Sequence, residues 1–407
     1  MGKLYGQGRI RSLLMAKLVP VFLLVVVLSF ISACVASSQM GSSPDSAFVV
    51  DISTDGRFAI SSHRDNRIIL WDIEGRGAEV ISERGNIFSA TFSRDSLHYA
   101  WQDGEGRVSV VDLDGDELMS VILPDAYSMG FTTSPTRVFL TDIDWSVHVH
   151  DGQRLVSPRV SDSRATLGLG KSFTVEVDYV GDRFLTAGFG GSVHEDLVLE
   201  EQTDGYSGLS SLVIWDGETG VPTHHLPGNS AKTHATFSPD GNYVVSVDEN
   251  GLGFVWEAEA GVVVNRLARP GRGVWVGDDH PDPIGAPKEE VYDYEGIHLQ
   301  WPDDFPEDFE VRSMLAVRFV SETEFLVLYT YSRYATLYQL GDPHARKVLD
   351  LGNRPHPSTG SYLRNASIAS APEAGILVTG QQSGNGINVY RFEEESKELE
   401  RIWAPRR

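Results

Sequence analysis

The sequence predicts an all-β fold in which seven four-stranded antiparallel sheets stand around a common axis. One short pattern, an apolar strand ending in an aromatic or apolar residue and then a polar one, recurs along the chain. Its landmarks are Asp72, Asp112, Asp151, Asp216, Glu257, Gln339 and Arg391, spaced 40, 39, 65, 41, 82 and 52 residues apart. Intervals near 40 fit a four-stranded unit of about 40 to 45 residues, and the longer ones must hold insertions. Tight-turn chemistry precedes the landmarks, clearest in Ser53-Thr54-Asp55-Gly56 and Ser238-Pro239-Asp240-Gly241, as antiparallel strands require. Without leader, tether and two insertions, seven units average about 43 residues each, inside the expected range. Four short strands cannot bury both faces alone. Stacked around an axis they do, and the fold predicted is a seven-bladed β-propeller of four-stranded antiparallel blades.

Composition narrows the function. The 407 residues are 41% hydrophobic and 22% charged, enough for a sizeable core. Thirty-four basic against 57 acidic side chains give a net charge of -23, the wrong sign for gripping nucleic acid through phosphates. A single cysteine excludes an intramolecular disulfide and any multi-cysteine metal site.

Residues 1–33 read as a signal peptide. Lys3, Arg9, Arg11 and Lys17 occur there without an acid, the apolar run Leu18 to Ile31 follows, and Ser32-Ala33-Cys34 closes it. The run is shorter than the roughly 20 apolar residues of a spanning helix and lacks a basic stop-transfer flank. Ile31-Ser32-Ala33-Cys34 resembles the lipobox of bacterial lipoproteins. That resemblance implies acylation of Cys34 and membrane attachment through its acyl chains. Val35, Ala36 and Ser37 follow without an acidic retention residue, which by the same resemblance favours the outer membrane. Removing the leader takes the net charge from -23 to -27. Residues 34–46, the cysteine and a Ser-rich polar stretch, read as a flexible tether. Met15 offers a second start for the leader.

The propeller is assigned to residues 47–407. Each unit is read as an inner strand, a tight turn, a second strand, a third strand ending at the landmark, and an outer strand. Second strands begin at Phe58, Tyr243, Phe325 and Ile376; third strands end in Trp71-Asp72, Trp215-Asp216 and Trp256-Glu257. Insertions fall at 190–209, between the second and third strands of blade 4, and at 271–311, between blades 5 and 6. The first blade opens near Phe48 and the last closes near Ile402, which leaves open how the ring closes.

The Trp-acid pairs at 71–72, 215–216 and 256–257 resemble WD-repeat (WD40-like) propellers over about residues 47–404. The resemblance implies a rigid surface for protein interaction. The Gly-His pair that opens that family's repeats has no counterpart here, so no histidine–aspartate relay is carried over. Trp71, Asp72, Asp112, Asp151, Trp215, Asp216 and Trp256 are read as structural repeat residues, indoles between sheets and carboxylates in the next turn.

Chemical motifs are sparse. His148 and His150 share one face of a strand, but two nitrogens do not make a zinc site. Asp278, Asp279, His280 and Asp282 are read as a solvated loop, with calcium as the alternative. No metal and no cofactor are assigned. The insertion 271–311 carries 12 acidic residues against Arg272 and Lys288. Trp275, Tyr292, Tyr294, Trp301, Phe305 and Phe309 are interleaved with them and are candidate interface anchors, with Tyr331, Arg333 and Tyr334 on a neighbouring short loop. The reading is a lipid-anchored, monomeric envelope propeller that binds an unknown envelope protein. The alternative is an exported hydrolase or lactonase-like enzyme with a channel metal. Such an enzyme should open its inner strands with ligating side chains; the residues read at those positions are Ala47, Ile87, Tyr127, Phe173, Thr233, Leu315 and Leu363.

Overall fold

A computed structural model describes residues 46–122, 126–131, 137–142, 147–150, 155–156, 172–190, 212–219, 221–226, 233–248, 251–267, 314–329, 332–352, 367–381 and 386–405. They form seven four-stranded sheets, each ordered first to fourth strand along the chain and antiparallel throughout. The innermost strands are Ala47–Ile52, Gly85–Phe92, Ala126–Phe131, Ser172–Val180, Thr233–Phe237, Met314–Phe319 and Ile368–Ala371. Each touches the next, and the last touches the first. The architecture is an all-β propeller of four-stranded blades.

The core lies in the seams between blades, which explains why strands read as near-continuous apolar runs. Glu324–Tyr329 is buried at every residue, because a neighbouring blade covers each face, whereas the outer strand Val262–Arg266 is largely exposed. Ile60 and Ile68 of blade 1 pack on Phe92 and Tyr99 of blade 2. Phe139 of blade 3 stacks on Phe184 of blade 4, centroids 4.1 Å apart. Val180 and Leu185 meet Phe237 and Trp256 of blade 5.

The inner turns repeat one hydrogen-bond device. Ser53 Oγ accepts from Phe58 N at 2.9 Å and lies 2.7 Å from Asp55 Oδ1, whose carboxylate also accepts from Arg57 N. Ser238, Asp240 and Tyr243 repeat it in blade 5, and Ser93, Asp95 and His98 in blade 2. Gly56 and Gly241 take φ +72 at the last turn position, where a Cβ is disfavoured. Blade 2 places Ser96 there at φ 60, and its Oγ accepts from Asp55 N of blade 1 at 3.1 Å.

Closure does not exchange a strand between the termini. Blade 1 is Ala47–Ile52, Phe58–His63, Ile68–Asp72 and Gly77–Ser82; blade 7 is Ile368–Ala371, Ile376–Gly380, Ile387–Glu393 and Glu398–Trp403. Their seam is sealed by packing, with Trp71 edge-on to Trp403 at 6.0 Å. A Cβ on Gly386 would come within 2.8 Å of the Trp71 ring, and one on Gly380 within 2.8 Å of Ala47 Cβ. The seventh inner strand begins at Ile368 and not at Leu363, which lies outside the described residues. Pro372 ends it by opening a short 3-10 turn, Pro372–Ala374.

Candidate interaction face

The antiparallel order sorts every connection onto one of two faces. Links from first to second and third to fourth strand emerge on one face, and the longest of these is 340–346. Links from second to third strand and from one blade to the next emerge on the other. The latter include 157–171, 191–212, 267–313 and 351–367. Two of these contain the expected insertions, although Gly190 belongs to the strand Arg183–Gly190. The segments 157–171 and 351–367 were not expected to be long; their flanking strands are short, Leu155–Val156 and Lys347–Asp350.

Most expected interface residues lie outside the described ones: Trp275, Tyr292, Tyr294, Trp301, Phe305, Phe309 and Tyr331, as do Cys34 and Asp151. Arg333 sits on the long-connection face, half-exposed, 3.2 Å from Asp350. Its guanidinium lies 4.9 Å from the Tyr334 ring centre and donates to the Tyr334 hydroxyl at 2.9 Å. Tyr334 itself is buried in the seam of blades 5 and 6. It is a packing residue and not part of an exposed surface, because strand Tyr334–Gln339 begins there and its side chain points into the seam.

The tryptophans are buried and anchored. Trp71, Trp215 and Trp256 donate from Nε1 to Ser61, Thr186 and Ser246 on the adjacent second strand, at 2.7, 2.9 and 2.9 Å. In blade 1, His63 Nε2 lies 2.7 Å from Ser61 Oγ, so a histidine does join the tryptophan–serine pair, from the second strand. Burial pushes the His63 pKa down to about 4. The acids of the pattern hold the following turn. Asp72 accepts from Gly75 N, Asp112 from Asp114 and Asp116 N, and Asp216 from the Thr219 hydroxyl and amide. The Thr219 bonds keep the Asp216 carboxyl below its usual range.

Family comparison meets the geometry at these pairs. A family model described as WD domain, G-beta repeat, matches residues 34–72 and 220–257, and both matches end on a Trp-acid pair of a third strand. The chain is a WD40-like β-propeller. No curated protein matches it. The second match takes the outer strand Pro222–His225 of blade 4 and three strands of blade 5, so the sequence repeat is offset by one strand from the folded blade.

The propeller's axis holds residues that the sequence reading missed. Inner strands present an open edge to the axis, and their N–H groups need acceptors. Asp51 of blade 1 accepts from Thr91 Oγ1 and Phe92 N of blade 2, both at 2.8 Å. Asp178 of blade 4 does the same for Thr236 Oγ1 and Phe237 N of blade 5, at 2.6 and 2.8 Å. Arg318 of blade 6 donates to Ile368 O of blade 7 at 3.0 Å. Desolvation raises the Asp51 pKa despite its bonds from Phe92, Thr91 and Ile52, and the Asp178 charge raises it further. At the tight-turn face, Arg94 of blade 2 donates to Pro239 O of blade 5 at 3.0 Å, linking turns of blades that are not neighbours. Among the described residues no three His, Cys, Asp or Glu side chains converge on a metal site, and no helix is long and apolar enough to cross a membrane. Through their bonds to the next blade, Asp51 and Asp178 act as clasps between blades.

Proposed function

We propose that this WD40-like propeller is a protein-interaction scaffold of a bacterial cell envelope. It is a complete seven-bladed ring, monomeric, tethered through acyl chains on Cys34 at the outer membrane, and it presents its long-connection face to a protein with a basic surface. The observation that carries this reading is the sorting of connections: 157–171, 191–212, 267–313 and 351–367 share one face, while the longest on the other is 340–346. Long connections on a rigid scaffold are where binding residues concentrate. The charge of 271–311, 12 acids against two bases, selects a basic partner and a salt-sensitive association.

The test is to replace 276–309 by a Gly-Ser link and measure the unfolding midpoint and the capture of purified envelope proteins over a salt series. The reading expects an unchanged midpoint with loss of the salt-sensitive captured partner. Unchanged capture by a folded variant would remove the site from this segment.

A further inference from the structure

We infer that the outer strand of blade 5, Val262–Arg266, is a second contact surface, on which the propeller meets another copy of itself edge to edge and antiparallel, about a two-fold axis at Val263. The strand ends its sheet and pairs on one side, with Gly253–Glu257. Val262, Val263 and Val264 are exposed one after another, at 49, 41 and 51%. A bulge explains the run. Trp256 stands opposite Val263 and Val255 opposite Asn265, so Val264 is an extra residue that breaks the alternation of faces. Strand edges are ordinarily guarded by charge, proline or brevity. Other outer strands of this ring follow that rule: Pro222 opens one, Lys347 and Asp350 bound another, and Glu79, Glu117 and Glu400 lie in three more. Among the described residues no other outer strand exposes three consecutive apolar side chains.

Charge selects the occupant. Along the chain the edge runs from Glu257 and Glu259, through the valines, to Arg266, and all three charged residues are exposed. An antiparallel copy sets each Arg266 beside the other copy's acidic turn, twice by symmetry, whereas a parallel copy sets like charge on like. Within its own ring Glu259 reaches Arg183 at 4.0 Å, and its side chain is 92% exposed. Arg266 lies over the Phe254 ring, 5.8 Å from its centre, at the opposite end of the strand. The contact is small. Stable interfaces bury about 1,200 to 2,000 Å² in total, and one five-residue edge interrupted by a bulge supplies less. The ring is therefore the monomer proposed above when dilute, and it pairs reversibly when concentrated.

Sedimentation velocity on the chain from residue 34 carrying Cys34→Ser, which has no thiol to cross-link two copies, reads the association between about 10 µM and 1 mM. A sedimentation coefficient that rises with concentration is expected. Val264→Lys and, separately, Arg266→Glu should each raise the dissociation constant about ten-fold. Arg266→Glu combined with Glu259→Arg should return it to within about three-fold of the parent, with unfolding midpoints unchanged throughout. In the same chain Val263→Cys should form disulfide-linked dimers about ten-fold faster than Val80→Cys, whose valine is exposed on the outer strand of blade 1, because a disulfide needs Cα atoms within about 7 Å and the axis supplies that at position 263. A parent whose sedimentation coefficient does not change with concentration, a folded Val264→Lys variant that pairs like the parent, or equal cross-linking from positions 263 and 80 overturns the inference. Charge reversal without effect overturns the antiparallel arrangement. Pairing that disappears when 276–309 is replaced by the Gly-Ser link assigns the contact to that segment and overturns its placement on this strand.

Discussion

Replacing Asp51 with alanine tests the clasp between blades 1 and 2. The carboxylate accepts two bonds from blade 2, at 2.8 Å each, and Phe92 is 1% exposed. Its removal takes the acceptor from the Phe92 amide and leaves the Thr91 hydroxyl with only a 3.5 Å contact to Phe92 O, and each weakened or unsatisfied donor costs about 1 to 3 kcal/mol. Deleting a desolvated charge that Asp178 repels returns part of this, so a net loss of about 2 to 4 kcal/mol is expected at neutral pH. Asp51→Asn keeps an acceptor oxygen and removes the charge, and should stay within about 1 kcal/mol of the parent. The pH dependence has a definite sign. The folded pKa lies above the unfolded value of 3.8, so the native carboxylate carries a penalty at neutral pH. That penalty fades as pH falls through the folded pKa toward the unfolded one. The asparagine variant has none, and the parent should gain on it as pH drops. Denaturant midpoints of the three proteins across that range provide the assay. An alanine variant with an unchanged midpoint, or an asparagine variant as damaged as alanine, would refute the clasp.

Trp215→Ala should cost about 3 to 5 kcal/mol as a buried large-to-small change, while Trp215→Phe, which keeps the stack on Phe184 but leaves Thr186 without its donor, should cost about 1 to 2 kcal/mol; denaturant titration reads both. His63 has a folded pKa of about 4 against 6.5 unfolded. The unfolded chain therefore gains a proton first, and stability falls as pH drops from about 7 toward 4, by about 2 kcal/mol at pH 5. His63→Gln should lack that component in midpoints taken at pH 7 and 5. Arg94→Ala removes the bond to Pro239 O; a loss of about 1 to 2 kcal/mol with faster amide exchange at Gly241 is expected, and exchange unchanged from the parent would show that the cross-axis contact does not hold the turn.

What a reader of the chain could see was whatever a single blade needs from its own residues. The turn Ser238-Pro239-Asp240-Gly241, the strand ending in Trp256-Glu257 and the next apolar run are local, so their spacing carried the strand order and the offset of each insertion. Aspartates 72, 112 and 216 likewise hold turns within four residues of themselves. His63 is not legible in the repeat pattern, because the family's Gly-His pair opens the repeat, whereas this histidine lies two residues beyond Ser61 on the second strand.

The sequence by itself determined the all-β class, the repeating blade and its landmarks, because periodic burial and turn geometry are written in neighbouring residues. Only the tertiary structure decided which polar residues clasp the blades, how the ring closes and where Ser46 meets blade 7. Asp51 meets Phe92 41 positions away and Asp178 meets Phe237 59 positions away, and Ser46 meets Gly386 at the far end of the chain. Each of these pairs exists only once separate blades stand side by side, since an inner-strand N–H has no acceptor in its own sheet on the axial edge. Tyr334 shows the same limit from the other side: the residue read as a loop aromatic opens a strand, and the blade packed against that strand buries it.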